Sequence, residues 1–375
     1  MPYLRGHEGR GEYGEGNGRM PQRAVPGVTK RIGFLSFGHW SDSPGSKARN
    51  ASDVLLQSID LAVAAEELGA DGAYFRVHHY ANQLASPFPL LAAAGAKTSR
   101  IELGTGVIDM RYENPLYMAE DAGAADLIAG GRLQLGVSRG SPEQVVDGYR
   151  YFGYDAPEGQ TMADVARNNA EVFLKVIDGA RFADPNPRPM FPNAHPGPLG
   201  IQPQSPGLRD RIWWGAASDA TAVWAAEQGM NLMSSTLKTD ESGEPFHVQQ
   251  RKQIEAFRAA WTKAGHEREP RVSVSRSIFA LVNDEDFAYF GGGRRDDSDQ
   301  FGVIDDYRAV FGRSYAAEPD ELVEQLRDDE AIAAADTLLL TIPNQLGVDY
   351  NAHVLEAILT HVAPALGWKP NVGSA

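Results

Sequence analysis

Short apolar segments alternate with helical segments from Arg31 onward, and this alternation constrains the fold more than any other feature. The apolar segments are rich in β-branched and aromatic residues, and apolar residues at helical spacing follow each one. Strands that are apolar throughout are typical of parallel sheets buried on both faces. The predicted strands are RIGFLSF, GAYFRV, RIELGTGVI, RLQLGVS, RIWWGAA, NLMSS, RVSVSRSIFAL and TLLLTIP.

Eight units of strand and helix predict a closed (β/α)8 TIM barrel with insertions. We expect a single domain over residues 28–375 and a mobile extension over residues 1–27, which are polar and rich in glycine. An open, doubly wound sheet is the alternative architecture. The proline-rich residues 183–207 and the charged residues 283–318 are predicted to be irregular. The predicted helices are Asp53–Leu68, Pro87–Lys97, Pro115–Ile128, Met162–Ile177, Ala220–Gln228, Val248–Lys263, Pro319–Arg327 and Asn351–Ala365.

The charge balance argues against several classes of partner. The net charge is −15 and the pI is about 5.1, so no nucleic-acid partner is expected, because binding phosphates needs a basic face. The same excess of acid disfavours anionic membranes, and no apolar run reaches membrane-spanning length. The chain has no cysteine, which excludes disulfides, thiolate metal sites and a cysteine nucleophile. Because the first residues also lack the apolar stretch of a signal peptide, we expect a cytoplasmic enzyme.

Two adjacent histidines, His78 and His79, stand where the second predicted strand ends. Active sites of such barrels lie at the C-terminal ends of the strands, so the pair is placed where chemistry is expected. Neighbouring strand residues point to opposite faces, so the two rings cannot easily share a metal ion, and no metal site is predicted. The residues alone leave two interpretations open. A ring can pack into the rim, or a single histidine can act as a base or as a donor to a bound anion.

Several motifs recur in the order and spacing of one known family. They are the segment HHYANQLASPFPLLAAAGAKTSRIELGTGVIDMRYENPLYMAEDAGAADLIAGGRLQLGVSRG, then IWWGAASDATAVWAAEQG, and finally VAPALGW near the C-terminus. Together they resemble the bacterial luciferase-like monooxygenase family, and the resemblance covers nearly the whole chain from Arg31. It implies a (β/α)8 barrel that binds reduced flavin mononucleotide (FMN), or in one branch a deazaflavin, at the C-terminal mouth.

The resemblance distinguishes the two histidines. His78 matches the histidine that performs acid–base chemistry beside the flavin in luciferase. The preceding residue is usually glutamate in the family and is Val77 here, so a proton relay through that carboxylate is not expected. His79 is expected to face the helix layer or the rim and to serve structure. His39, which ends the first strand in SFGHW, is a candidate substrate contact, with a solvated rim residue as the alternative.

The resemblance also implies a set of cofactor-binding residues on later strands. They are Thr105, Gly106, Val107, Ser138, Arg139, Ser218 and Thr221. The first three match the segment that lines the isoalloxazine ring, and Ser138 stands where luciferase carries a reactive cysteine. The last three match residues near the flavin phosphate.

Plainer interpretations of the same residues stay open from the sequence alone. Ser218 can be an ordinary helix N-cap, which serine often is. Arg139 can close a salt bridge under the rim. Gly104 and Gly106 weaken a strand, which indicates either close approach of a ligand or a bulge.

The resulting prediction is a flavin-dependent monooxygenase that uses reduced FMN and O2 to oxidise a small organic substrate. The implied partner is a separate NAD(P)H:flavin reductase that supplies the reduced FMN. A deazaflavin-dependent hydride-transfer enzyme, a catalytically silent flavoprotein subunit and a metal-dependent barrel hydrolase are the alternatives. A homodimer is expected to form through the second and third helices, where the small residues Ala92–Ala96 allow close helix approach.

Overall fold

Eight parallel strands close into a barrel in the computed structural model of this chain, which describes residues 30–140, 144–188, 197–238, 242–292, 299–304 and 307–372. The strands are β1 (Arg31–Ser36), β2 (Gly72–Phe75), β3 (Glu102–Asp109), β4 (Leu133–Ser138), β5 (Arg181–Ala183), β6 (Leu199–Gly200), β7 (Ile212–Ala216), β8 (Asn231–Ser234), β9 (Leu237–Lys238), β10 (Val272–Arg276), β11 (Ile278–Ala280), β12 (Gln300–Ile304), β13 (Tyr307–Phe311), β14 (Tyr315–Ala317) and β15 (Thr337–Ile342). The α-helices are α1 (Ala51–Glu67), α2 (Pro87–Lys97), α3 (Pro115–Ile128), α4 (Met162–Ile177), α5 (Asp219–Glu227), α6 (Phe246–Ala264), α7 (Asp284–Phe290), α8 (Pro319–Arg327), α9 (Glu330–Ala334) and α10 (Gly347–His361).

The order of strands around the barrel is β1-β15-β10-β8-β7-β4-β3-β2, and each neighbouring pair is parallel. The predicted (β/α)8 TIM barrel is therefore confirmed, and the open-sheet alternative is wrong. Helices lie between successive barrel strands along the chain, as the alternating pattern predicts. Helices α2, α3, α4 and α8 have the predicted bounds.

Local sequence signals explain why these helices begin where they do. Before α3, the side chain of Asn114 accepts hydrogen bonds from the backbone of the first turn, and Pro115 occupies the first helical position. Before α4, Thr161 and Asp164 form a reciprocal capping box. Both signals can be read in the sequence before any tertiary contact is known.

Two apolar layers share the barrel strands. Side chains that point outward pack against the helices and form the larger core, in which Trp214 contacts Trp224 with ring centroids 4.6 Å apart. Side chains that point inward form a small second cluster, which contains Trp213. The two adjacent tryptophans thus serve opposite faces, as residues of a strand must. The inward cluster comprises Leu35, Tyr74, Trp213, Met233 and Leu339.

An ion-pair network closes the N-terminal end of the barrel. Both carboxylate oxygens of Glu102 accept hydrogen bonds from Arg271, at 2.8 and 2.9 Å, and Arg31 adds a contact of 2.6 Å. The Arg271 guanidinium also lies 4.8 Å from the ring centroid of Trp213, whose indole donates to Gln134 at 2.8 Å. We call this network, with the ring of Tyr74, the barrel floor.

The charged residues 283–318 are more regular than predicted. They contain α7, β12, β13 and β14, and the antiparallel sheet β12-β13-β9 lies outside the barrel. We call β9, β12 and β13 the insertion sheet. The prediction was wrong because each element is only three to seven residues long and shows no usable periodicity.

Two further differences concern strands. The single strand predicted over RVSVSRSIFAL is divided: β10 belongs to the barrel, whereas β11 leaves it and pairs with β14. The proline-rich segment is not wholly irregular, because β6 pairs with β5. Residues 1–27, expected to be mobile, lie outside the described residues. Among the residues that the structure describes, no helix is both long and apolar enough to span a membrane.

Candidate active site

The candidate residues follow neighbouring strands at the C-terminal mouth of the barrel. His39 follows β1, His78 follows β2, residues 105–107 lie in β3, Ser138 ends β4, and Ser218 follows β7. These five strands are adjacent in the barrel. The structure thus brings the candidates to one continuous half of the mouth.

The histidine pair lies beyond the strand that was expected to contain it. β2 ends at Phe75, so His78 and His79 belong to the following loop, and the prediction that they end the strand was wrong. The backbone N–H of His78 donates to the carbonyl of Leu84 at 2.9 Å. This hydrogen bond joins two residues of the loop and is not part of the sheet. Val77, the residue in place of the usual glutamate, is buried in the outer core.

A basic cluster occupies the mouth above β1 and β2. The guanidinium of Arg76 lies 4.8 Å from the ring centroid of Phe37, and Phe37 in turn stacks on His39 with centroids 5.9 Å apart. Burial lowers the pKa of His39, and the positive charges of Arg76 and His78 lower it further. His39 is therefore a neutral ring near pH 7, which can donate one hydrogen bond and accept another. His39 and His78 are the side chains of this cluster that could transfer a proton, whereas Arg76 supplies a fixed positive charge.

His79 has different surroundings from His78. Its ring stacks on Tyr112 with centroids 4.1 Å apart and meets the edge of Phe152 at 5.2 Å. Tyr80 and Tyr149 extend the same aromatic group. His79 thus packs among aromatic side chains at the rim.

The β3 segment assigned to the flavin ring shows three different environments. Thr105 is fully buried and donates its hydroxyl to the carbonyl of Gly136 at 2.8 Å, within the barrel wall. The pairing of β3 with β4 shifts between Thr105 and Ile108, and the Gly106–Val107 peptide is cis. Val107 packs against the inward cluster. Of the three candidates, Gly106 and Val107 face the interior.

Gly104 serves packing inside the barrel and not the approach of a ligand. A Cβ atom at Gly104 would lie 2.4 Å from ring carbons of Tyr74. Gly104 therefore makes room for a side chain of the barrel floor. At Gly106, a Cβ atom would come within 2.8 Å of Leu35 Cδ1, and the bulge predicted as the plainer interpretation is present beside it.

Small residues form one wall of the mouth across β3, β4 and β7. A Cβ atom at Gly215 would lie 3.2 Å from Val107 and 3.6 Å from Ser138, which places the three residues together. A Cβ atom at Gly136 would likewise lie 3.0 Å from Val107. We call Gly106, Val107, Gly136, Ser138 and Gly215 the glycine wall. A Cβ atom at Gly136 would also meet the Thr105 carbonyl oxygen at 2.3 Å and Met233 Sδ at 2.7 Å, so the glycines of this wall allow close packing of the barrel interior.

The N-terminus of α5 carries the two hydroxyl candidates. Ser218 occupies the N-cap position, but its side chain makes no capping hydrogen bond. Its hydroxyl instead lies 3.1 Å from that of Thr221, which donates to the Ser218 carbonyl at 2.9 Å. The ordinary N-cap interpretation of Ser218 therefore lacks the contact that defines it. Backbone N–H groups and hydroxyls at such a helix terminus suit a phosphate.

The sequence analysis missed two charged residues of this region. Asp219 is the first residue of α5, and the ammonium group of Lys238 on β9 lies 2.6 Å from its carboxylate. The Lys238 side chain is only 2% exposed. Arg139, the predicted phosphate contact, is exposed one residue beyond β4. Arg76 was also missed, although the alternation from Tyr74 would have placed it inside the barrel.

Glu113 is a buried acid beside the mouth, in the loop between β3 and α3. Burial raises its pKa to about 7, and the negative charges of Asp109 and Asp121 add to the effect. Asn169 of α4 holds the same loop by donating to the carbonyls of Met110 and Glu113 at 3.0 and 3.2 Å. Sequence reasoning missed Glu113 because nothing local marks it as buried.

A cleft of about 420 Å³ lies away from the glycine wall, between the start of α6 and the β13–β14 turn. Its main charges compensate each other, since Arg276 donates to Asp329 at 2.8 and 3.1 Å and the Tyr315 hydroxyl donates at 2.8 Å. Burial works to raise the pKa of Asp329, but Arg276 outweighs it and keeps that pKa low. No predicted site residue lines this cleft. Within the described part of the chain, no group of three or more histidine, aspartate or glutamate side chains could hold a metal ion.

Known proteins resemble this chain in sequence and in fold. The oxygenase component of the flavin-dependent trigonelline monooxygenase of Acinetobacter baylyi is 23% identical over 302 residues, covering 76% of this chain and 78% of that protein. The chain spans only 60%, 52% and 54% of the length of three other curated relatives, the last being the alkanal monooxygenase alpha chain of the Kryptophanaron alfredi symbiont.

Solved structures share the barrel at low sequence identity. The oxygenating constituent of 3,6-diketocamphane monooxygenase from Pseudomonas putida, in complex with FMN, superposes with a TM-score of 0.65 at 17% identity, over 90% of this chain and 98% of that one. An F420-dependent secondary alcohol dehydrogenase superposes with a TM-score of 0.57 at 15% identity, over 90% and 99%. The sequence model of the luciferase-like monooxygenase family matches residues 31–288, which is more than half of the chain. The chain therefore belongs to that family.

Proposed function

We propose that this protein is the oxygenase of a two-component, flavin-dependent monooxygenase that uses reduced FMN and O2 to oxidise a small organic substrate. The observation that carries the proposal is the glycine wall beside the N-terminus of α5. A wall of small residues next to a cluster of phosphate donors would take the ring and the phosphate of a flavin mononucleotide. Family membership supports an oxidoreductase of this general kind.

The residues present fit FMN on the chemistry of their donors. Ser218, Thr221 and the first N–H groups of α5 would hold the phosphate, with Arg139 at the rim as a further positive charge. Gly106, Val107 and Ser138 would lie against the ring. A Cβ atom at Gly215 would lie 3.2 Å from Val107 and 3.6 Å from Ser138, so a larger residue there would crowd these two candidates for the ring.

The other half of the mouth would receive the substrate. Reduced FMN, when bound, supplies the electrons with which O2 is activated. His78 would hold or transfer a proton beside the ring, and neutral His39 would donate a hydrogen bond to the substrate. Phe37 supplies an apolar face, which favours an organic substrate and helps to exclude water.

Two partners follow from the proposal. A separate NAD(P)H:flavin reductase would supply the reduced FMN, since the first strand is not followed by the GxGxxG turn of a dinucleotide site.

A second copy of the chain is the other partner, with α2 and α3 at the interface. Ala94 and Gly95 pack within the subunit, so exposed Ala96 and the exposed α3 residues Leu127 and Ile128 would form the contact. Sedimentation velocity should give a dimer at micromolar concentration, and a monomer would contradict this part of the proposal.

The phosphate site can be tested with the double variant Ser218→Ala, Thr221→Ala. Loss of hydrogen bonds to a charged group should weaken FMN binding by roughly 2–5 kcal/mol. Riboflavin, which has the same ring and no phosphate, should bind the double variant and the original protein equally. Anaerobic fluorescence titration with both reduced flavins measures the difference. Because Ser218 makes no capping hydrogen bond, the free energy of unfolding should change by less than about 1 kcal/mol.

The deazaflavin alternative shares this fold, as the F420-dependent dehydrogenase does. It predicts that a reduced deazaflavin binds more tightly than reduced FMN and that no O2 is consumed. The silent-subunit alternative predicts FMN binding without substrate oxidation in the isolated protein. The affinities for the two reduced cofactors, together with the yield of oxidised substrate when chemically reduced FMN and O2 are supplied, separate the three.

A further inference from the structure

We propose that Lys238 is a positioning residue of the phosphate site, whose buried ammonium group offsets the negative charge of Asp219 and so allows the N-terminus of α5 to hold a phosphate dianion. The proposal rests on the proposed function, since it takes the phosphate of FMN to lie at that helix terminus. It concerns two residues that neither the motifs nor the family resemblance assigns.

Asp219 creates the electrostatic problem. As the first residue of α5, it places a carboxylate beside the same N–H groups and hydroxyls that would receive the phosphate. A single acidic residue in the first turn stabilises a helix, but it repels a second anion at the same terminus. A phosphate there would meet the carboxylate at close range unless a positive charge lies between or beside them.

Lys238 supplies that charge from a fixed position. Its ammonium group lies 2.6 Å from Asp219, and the two side chains are 2% and 50% exposed. An exposed pair would be mobile and screened by salt, whereas a buried ammonium group stays in one place and acts through a medium of low polarity. Burial of lysine is costly, and an aspartate that is half exposed could be solvated without it. The ammonium group therefore lies where it can act on an anion at the helix terminus as well as on Asp219.

The position of Lys238 connects the phosphate site to the insertion sheet. β9 is paired antiparallel with β13, with Lys238 opposite Val310 and Leu237 opposite Phe311. The residues that place the ammonium group are therefore those of the segment predicted to be irregular. This gives the insertion sheet a function: it holds one charge at the end of α5, a barrel helix distant in sequence.

The test compares FMN with riboflavin for Lys238→Met, a variant of similar length without the charge. We expect Lys238→Met to weaken binding of reduced FMN by about tenfold or more, with riboflavin affinity within about twofold. Lys238→Arg should retain most of the FMN affinity. Asp219→Asn should do the opposite of Lys238→Met and tighten FMN binding several-fold, because it removes the repulsion. The double variant Lys238→Met, Asp219→Asn should lie near the original protein.

Several outcomes would overturn the inference. Equal losses for FMN and riboflavin in Lys238→Met would make the ion pair purely structural. If Lys238→Met does not fold, Asp219→Asn decides, since an unchanged FMN affinity in that variant contradicts the charge argument. The proposed function fails separately: then the original protein would bind riboflavin as tightly as FMN, and Ser218→Ala, Thr221→Ala would have no effect. If that double variant loses FMN selectively while Lys238→Met does not, only the role of Lys238 is wrong.

Discussion

The two ends of the barrel interior are built from opposite kinds of residue. At the floor, large side chains fill the space, and Glu102, Arg271 and Trp213 are joined by charge-assisted hydrogen bonds and a cation–π contact. At the mouth, Gly136 and Gly215 contribute no side chain, and Val107 lies against both positions. The glycine at the floor, Gly104, gives its space to the much larger ring of Tyr74.

The contrast indicates how one closed sheet can be both stable and open to ligands. The side chains of the floor join β1, β3, β4 and β7 to Arg271 before β10, so these contacts stabilise the barrel at the end away from the mouth. Substitutions at the floor should then act on folding, and substitutions at the mouth on binding or turnover. The predictions below challenge this division, beginning with the largest effect.

His78→Ala should have the largest effect, and it should be on turnover. A positioned acid–base group contributes about 10²–10⁴-fold to the rate, so we expect the rate of substrate oxidation to fall by that factor. FMN affinity should stay nearly unchanged, because the phosphate supplies most of the anchoring. Added imidazole should restore part of the activity. Stopped-flow kinetics with prereduced FMN measures the loss.

His79→Ala is the matched control, one residue away in the same loop. His79 stacks on Tyr112 and contacts Phe152, so its loss should lower the melting temperature and leave turnover largely intact. If His79→Ala abolishes turnover while His78→Ala is silent, the two histidines have been assigned in the wrong order.

Glu102→Gln tests the floor. The substitution keeps the shape of the side chain but leaves Arg271 and Arg31 without their shared carboxylate, at a site where Glu102 is 14% exposed. We expect the free energy of unfolding to fall by about 3 kcal/mol, measured by urea denaturation. The variant, once folded, should bind FMN with unchanged affinity.

The control for Glu102→Gln removes a carboxylate from an exposed ion pair. Glu324→Gln breaks the pair with Arg327, whose members are 75% and 51% exposed, and should have a far smaller effect. Weaker FMN binding by folded Glu102→Gln would contradict the separation of floor and mouth.

The sequence predicted those parts of the fold that depend on local signals. α3 and α4 were predicted with correct bounds because Asn114 and Thr161 mark their starts chemically, and eight apolar strands are enough to identify a barrel. The insertion sheet was missed because the pairing of β9 with β13 joins residues more than 70 positions apart. Such pairing leaves no periodic trace in either segment.

The candidate site divides in the same way. His39, His78 and Ser218 follow strand ends, and strand ends can be located from sequence to within a few residues, as the end of β2 at Phe75 shows. Lys238 and Glu113 depend on long-range burial: Lys238 is fixed by the insertion sheet, and Glu113 belongs to a loop that Asn169 of α4 holds. Only the folded structure shows that these two charges are removed from water.

Glu113→Gln should have the smallest effect, and it compares two acids at opposite ends of the barrel. Glu102 at the floor faces two arginines, whereas burial and the negative charges of Asp109 and Asp121 raise the pKa of Glu113 to about 7 from its usual 4.5. Between those pH values the folded protein holds a proton that the unfolded chain has lost, so stability falls as the pH rises from about 4.5 to 7. Glu113→Gln removes that charge. The full shift corresponds to about 3 kcal/mol, but Glu113 is only partly shielded from water, so the variant should exceed the original protein by about 2 kcal/mol in free energy of unfolding at pH 8. At pH 4.5 and below the two should converge, because the protonated acid and the amide are both neutral.

Glu120→Gln, on the exposed face of α3, removes an equal charge and controls for the change in net charge. Urea denaturation at pH 4.5, 6 and 8 provides the measurement. A stability difference that is the same at all three pH values would mean that the mouth carries no buried charge of this kind, and that floor and mouth do not differ in their electrostatics.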